Sequence, residues 1–114
     1  MKFNSFEDYI VWQKSRILVK IVDEALVSCR NFSFRDQFFR AVLSIMNNIA
    51  EGFERQSNKE FKYFLYVSKG SCAEVRSMAY SALDLGYFSN ETFDTIFNSS
   101  IEISKMLSSL IKKL

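Results

Sequence analysis

Apolar positions along the chain fall into four runs with helical period, separated by short polar stretches. In the first run, Asp8, Val11, Trp12, Ser15, Leu18, Val19, Val22, Ala25 and Leu26 recur at helical spacing. Ser5-Phe6-Glu7-Asp8 resembles a capping box with Asp in place of the usual Glu, so a helix is predicted from there to about Ser28. A short connector over residues 29–33 follows. The second helix is predicted over residues 34–55. Phe38, Val42, Ile45, Ile49 and Phe53 form one row, and Phe39, Leu43, Met46 and Ala50 form another beside it. Together they span an apolar arc of about 200°, roughly twice what a helix needs to face its own bundle. The surplus points to a second contact, most simply another subunit. The alternative is that this helix is the central one of the monomer.

Residues 56–60 make the next break, and Ser57 with Glu60 forms a regular capping box. The third helix is predicted from there to about Leu85. Its stripe is Phe61, Phe64, Leu65, Ser68, Ser71, Cys72, Val75, Met78, Ala79 and Ala82, small in the middle, which lets a neighbouring helix come close. Gly86 suits the left-handed position that ends a helix. Ser89-Asn90-Glu91 opens a fourth helix that runs to the end of the chain. Phe93, Ile96, Phe97, Ser100, Ile101, Ser104, Leu107, Ile111 and Leu114 repeat along it at steps of three and four. Glu91 and Asp94 near its start, and Lys112 and Lys113 near its end, suit the helix dipole. Short connectors make sequential helices antiparallel neighbours. The expected architecture is all-α: one antiparallel up-down-up-down four-helix bundle over residues 1–114.

Composition agrees with this pattern. The 114 residues include no proline and three glycines, too few turn formers for an all-β fold. An apolar content of 48% excludes disorder. The chain has no histidine, which removes Ser-His-Asp and Cys-His catalysis, imidazole metal sites and the Glu-x-x-His pairs of di-iron bundles. Glu51, Glu54, Glu60 and Glu74 do not recur as an inward carboxylate cluster, and no phosphate-cradling glycine loop or nucleophile elbow occurs. No enzyme activity, metal or cofactor is expected. Cys29 and Cys72 read as two small buried residues in a reducing compartment. No run is long and apolar enough for a membrane span, and Glu7 and Asp8 stand where a signal peptide needs apolar residues. A soluble, cytoplasmic protein is expected.

The net charge is only +2, so the placement of cations matters more than their sum. Lys62, Tyr66, Lys69, Ala73, Arg76 and Tyr80 step alternately by four and three along the third helix, on a face expected to lie opposite its core stripe. The three cations span about 21 Å, so they can track phosphates, and the tyrosines can stack on unpaired bases. The competing reading is a solvated face, or tyrosine rings and lysine stems lining a subunit contact. Smaller clusters are Lys105, Lys112 and Lys113 on the fourth helix and Arg16 and Lys20 on the first. On the second helix, Asn48, Glu51, Gly52 and Arg55 stand out. Glu51 and Arg55 are i,i+4 neighbours able to pair, and a helix-interior glycine suggests close backbone packing. They are candidates for a ligand or partner site, or for an edge network that sets helix packing.

Several of these residues form a larger pattern. It runs Ser44-Ile45-Met46-Asn47-Asn48-Ile49-Ala50-Glu51-Gly52-Phe53-Glu54-Arg55, then Ser57, Lys59-Glu60-Phe61 and Phe64-Leu65. Ser68, Gly70-Ser71, Glu74 and Leu85-Gly86-Tyr87 follow, and the first helix adds Val11-Trp12-Gln13-Lys14. The pattern resembles the bacterial family of proteins encoded in 23S rRNA intervening sequences, also labelled S23, over nearly the whole chain. The resemblance implies an antiparallel four-helix bundle assembled as a homopentamer, without known enzymatic activity. It also links the chain to the accessory variability determinant of diversity-generating retroelements, a basic pentamer that binds nucleic acid and a reverse transcriptase. The expected function is a non-catalytic oligomeric adaptor or scaffold that contacts RNA, DNA or a ribonucleoprotein partner through basic helix faces. The alternative is a structural or protein-interaction oligomer with no nucleic-acid role.

Overall fold

The computed structural model describes residues 3–114, which leaves Met1 and Lys2 outside the described residues. The fold is a four-helix bundle: α1 (Ile10–Ala25), α2 (Phe32–Phe53), α3 (Asn58–Asp84) and α4 (Asn90–Lys113), with a single 3-10 turn at Phe6–Asp8 ahead of α1. Each helix packs on its two neighbours in the order α1, α2, α3, α4 and back to α1. The described residues contain no strand.

The sequence chemistry accounts for most helix ends. Asn31, Ser57 and Ser89 accept hydrogen bonds from the backbone N–H of Phe34, Glu60 and Thr92 at the starts of α2, α3 and α4. Ser57 Oγ also donates to the Glu60 carboxylate at 3.1 Å, so the expected capping pair meets through the serine hydroxyl. At the end of α3, Gly86 takes φ +74°, where a residue with a Cβ is strained. The Tyr87 N–H bonds the Ala82 carbonyl at 2.8 Å and the Gly86 N–H bonds that of Leu83 at 3.1 Å, which closes the helix.

The first helix differs from expectation. Ser5 caps only the 3-10 turn, Tyr9 is extended, and α1 stops at Ala25 rather than Ser28. Packing explains the break. At 100° per residue, a continuous helix would carry Tyr9 to the side opposite Leu18, into solvent. The break turns Tyr9 inward, where its ring meets Phe53 at 5.7 Å and Phe61 at 6.0 Å. Asp8, expected on the inward stripe, is exposed instead. This aromatic cluster seals one end of the bundle, where α1 and α3 start and α2 ends. Phe34, Phe38, Tyr87 and Phe88 seal the other, with Phe34 5.2 Å from Tyr87 and Phe38 6.4 Å from Phe88.

The wide arc of α2 is largely used inside the monomer. Phe38, Val42, Ile45, Ile49 and Phe53 are buried, with α1 on one side and α3 on the other. Ile45 is fully enclosed, so it belongs to the core and not to an outer surface. Phe39, Leu43, Met46 and Ala50 are half-buried. The α2–α3 contact is the closest. A Cβ placed on Gly52 would lie 2.7 Å from Phe64 Cβ, so only glycine fits. Ser68 Oγ donates to the Ile45 carbonyl at 2.7 Å, one of several buried serines that bind a neighbouring helix and allow it near.

Candidate functional site

The conspicuous polar residues of α2 sit at its seam with α3. Asn48 Nδ2 donates to the carbonyl and the hydroxyl of Ser44, both at 2.8 Å. Ser71 Oγ of α3 donates to the same Ser44 hydroxyl at 2.8 Å. Glu51 and Arg55 approach to 4.0 Å on the exposed side, and the Arg55 guanidinium lies 4.8 Å from the centre of the Phe64 ring. Asn48, Gly52 and Arg55 therefore touch residues that join α2 to α3. Glu51 holds the outer end of that row.

The other seam of α3, against α4, carries the cations. Lys62, Lys69 and Arg76 do not point away from the core. They are half-buried along the α4 side, because 60–100° of rotation from Phe61 brings them over the neighbouring helix. Lys69 Nζ donates to Ser108 Oγ at 2.8 Å, and the Arg76 guanidinium donates to Ser100 Oγ at 3.2 Å. Ser100 in turn donates to the Cys72 carbonyl at 3.0 Å. The serines at 100, 104 and 108 recur every four residues on α4, which places a row of short side chains opposite the cations. The sequence pattern places Ser100 and Ser104 on the repeating stripe of the fourth helix but does not assign Ser100 and Ser108 to the α3 cations, for which the i,i+4 spacing was the available signal.

These contacts fix Lys69 and Arg76 without consuming them. An ammonium has three donors and a guanidinium five, and each uses one on a serine. Among the described residues, the ion pairs are Lys14–Glu102 and Glu51–Arg55, so no carboxylate pairs with Lys62, Lys69 or Arg76. Lys112 continues the row, one turn beyond Ser108 on α4. The α3 carboxylates Glu60 and Glu74 lie toward α2, and Asp84 lies at the helix end. Two aromatic rings edge the seam. Tyr66 is 59% exposed and Tyr80 53%, and Tyr80 is braced by Phe93 at 5.0 Å and Phe97 at 5.6 Å.

The remaining cations are dispersed. Lys105 and Lys113 line a cleft between α1 and α4 with Ile10, Met106 and Leu110. Arg16 and Lys20 line a hollow on α1 beside Trp12. Both cysteines are buried and free, and burial pushes the Cys72 thiol up to about 11. No group of three or more metal-ligating side chains gathers among the described residues, and none of the described helices is long and apolar enough to cross a membrane. The chemistry on offer along the α3–α4 seam is contact chemistry: fixed cations, hydroxyls and exposed phenol rings.

Comparison with known proteins agrees with this architecture. No curated protein matches the chain. A crystal structure of a protein with unknown function from the S23 ribosomal protein family of Bacteroides thetaiotaomicron is similar, with a TM-score of 0.81 and 31% sequence identity. The match covers 90% of this chain and 98% of that one. Residues 7–109 match the family described as 23S rRNA-intervening sequence protein. On both grounds, the chain belongs to the 23S rRNA-intervening sequence protein family.

Proposed function

We propose that this protein is a non-catalytic, self-associating scaffold that holds nucleic acid along the α3–α4 seam. The observation that carries this reading is the row Lys62, Lys69, Arg76 and Lys112, cationic and without a carboxylate partner among the described residues. A row of cations left unneutralised is suited to a polyanion, whose bound counterions are released on contact. The serine contacts of Lys69 and Arg76 reduce the side-chain freedom that binding would otherwise remove. Phosphates are the natural ligands of the row, and the rings of Tyr66 and Tyr80 are at hand for unpaired bases. Self-association multiplies a weak contact by presenting several seams at once. A ring of five copies, the assembly that the resemblance implies, would present five.

The test is a titration of labelled single-stranded RNA with the full chain at several salt concentrations. Three or four phosphate contacts per copy give a log–log salt slope of about −2 to −3 for a single strand. Affinity then falls roughly 20- to 50-fold between 50 and 200 mM salt. Replacing Lys62 and Lys69 by Glu flattens the slope by about 1.4 and leaves the helical circular dichroism unchanged. Binding that is absent at low salt, or indifferent to both salt and these substitutions, overturns the proposal. The protein-interaction reading would then stand.

A further inference from the structure

The face of α3 that points away from the bundle carries a second periodic row. Lys59, Tyr63, Tyr66, Gly70, Ala73, Ser77, Tyr80 and Asp84 step alternately by four and three, the spacing of a helix–helix seam, and all eight are exposed. Packing within one chain leaves three features of this row largely unused, although Tyr80 rests one edge on Phe93 and Phe97. Gly70 is a helix-interior glycine with nothing within 4 Å of where a Cβ would stand, unlike the tightly packed Gly52. Tyr63, Tyr66 and Tyr80 are 64%, 59% and 53% exposed on one helix. Lys59 lies in the first turn and Asp84 in the last, each against the helix dipole, and neither has an ion-pair partner among the described residues.

We propose that this face is a self-contact, in which α3 packs antiparallel on α3 of a second copy about a two-fold axis near the middle of the helix. In that register Gly70 meets the partner copy's alanine at 73, so the two backbones approach most closely at the centre. Tyr66 meets the serine at 77, a large residue against a small one. Tyr63 meets the tyrosine at 80. Lys59 at each end meets the aspartate at 84, and the two opposed charges pair. A parallel arrangement would set lysine on lysine and aspartate on aspartate, so charge selects the antiparallel one. Isologous pairing needs one self-complementary patch, and the row supplies it: opposite charges meet at both ends, Tyr63 meets a ring, Tyr66 meets a small residue, and Gly70 meets a small residue at the centre.

The contact leaves the phosphate-binding cations free but withdraws Tyr66 and Tyr80 from unpaired bases in the paired state. A two-fold axis keeps each flank of the helix on its own side, so the two α3–α4 seams come to lie together on one side of the pair. Repulsion between them is limited because Lys69 and Arg76 are folded onto the serines of α4. Tyr66 and Tyr80 become packing residues, and phosphate contact falls to the cations. A single helix-on-helix contact of this length lies at the small end of specific interfaces, below about 1,200 Å², so pairing of roughly micromolar strength is expected.

Sedimentation velocity of the full chain without nucleic acid, from low to high micromolar concentration, tests the contact. Lys59→Glu alone, and Asp84→Lys alone, each set like charges together at both ends and weaken pairing about tenfold or more. The assembled mass then halves, from dimer to monomer, or from paired rings to single rings if other surfaces close a ring. The double variant Lys59→Glu with Asp84→Lys restores the wild-type mass. Both reversals suit the helix dipole, so helical content stays intact and lost mass is not unfolding. The proposal is overturned if the wild type does not associate, if the single variants keep its mass, or if the double variant fails to restore it. RNA titration by the same variants separates the two proposals, because Lys62, Lys69 and Arg76 are untouched.

Discussion

Two glycines interrupt helices in this chain, and alanine at the two sites should have opposite effects. Alanine is worth about 0.5–1 kcal/mol over glycine in a helix interior. At Gly70 that gain is free, because open space receives the methyl group. At Gly52 the same methyl would meet Phe64 Cβ at 2.7 Å, Phe61 Cδ1 at 3.1 Å and the Phe61 carbonyl at 3.3 Å. The first of these atoms is fixed to the α3 backbone and cannot swing aside. The helices must separate, at an overpacking cost of about 1–3 kcal/mol. Gly52→Ala is therefore expected to destabilise by about 1–2 kcal/mol net, and Gly70→Ala to stabilise by just under 1 kcal/mol. With an unfolding entropy of about 2.1 cal/mol/K per residue, 1 kcal/mol is worth roughly 4 °C in Tm for a chain of this size. Thermal melts at dilute concentration, where self-association does not contribute, should place Gly52→Ala about 4–8 °C below the wild type and Gly70→Ala about 2–4 °C above it. Equal shifts of the same sign would refute the packing argument for both positions.

Other consequences are open to simple assays. Tyr9→Ala removes the ring that joins Phe53 and Phe61, and the loss is expected to cost about 3–5 kcal/mol in urea unfolding, enough to leave a marginal bundle; a cost below 1 kcal/mol would show that the break before α1 is not held by this side chain. Ile45→Asp buries a carboxylate in the enclosed core, so loss of helical signal is expected, whereas Met46→Asp at a half-buried position should stay folded; a folded Ile45→Asp of altered mass would return this residue to a subunit contact. The Cys72 thiol, held protonated by burial up to about 11, should resist thiol reagents at pH 8 until the chain unfolds. In the unfolded chain this thiol ionises near 9, so its contribution to stability is full below that pH and is lost as pH rises to about 11. The loss amounts to roughly 2–3 kcal/mol and should be absent in Cys72→Ala.

Helix number, caps and the α2–α3 contact were legible because each had a local cause: Ser57 with Glu60, Gly86 at a helix end, glycine and serines along one stripe. The break at Tyr9 was not, since its cause is two phenylalanines from other helices and no residue near it forbids a helix. The functional face was only half legible, for a reason of geometry. Two rows with heptad spacing overlap on α3, one through Lys62, Lys69 and Arg76, the other through Lys59, Gly70, Ser77 and Asp84. Tyr66, Ala73 and Tyr80 belong to both. Spacing alone assigns the whole set to one face, because the rows differ by only some 60° to 100° around the helix. The position of α4 separates them. It lies against the first row, folds Lys69 and Arg76 onto its serines, and leaves the second row uncovered. A cation row that touches its own bundle is braced for a ligand that brings negative charge. A row of rings around a glycine, with opposite charges at its ends, is complementary to itself. The two rows therefore call for different partners, and a substitution at Tyr66 or Tyr80 cannot tell them apart, whereas Lys62 and Lys59 can.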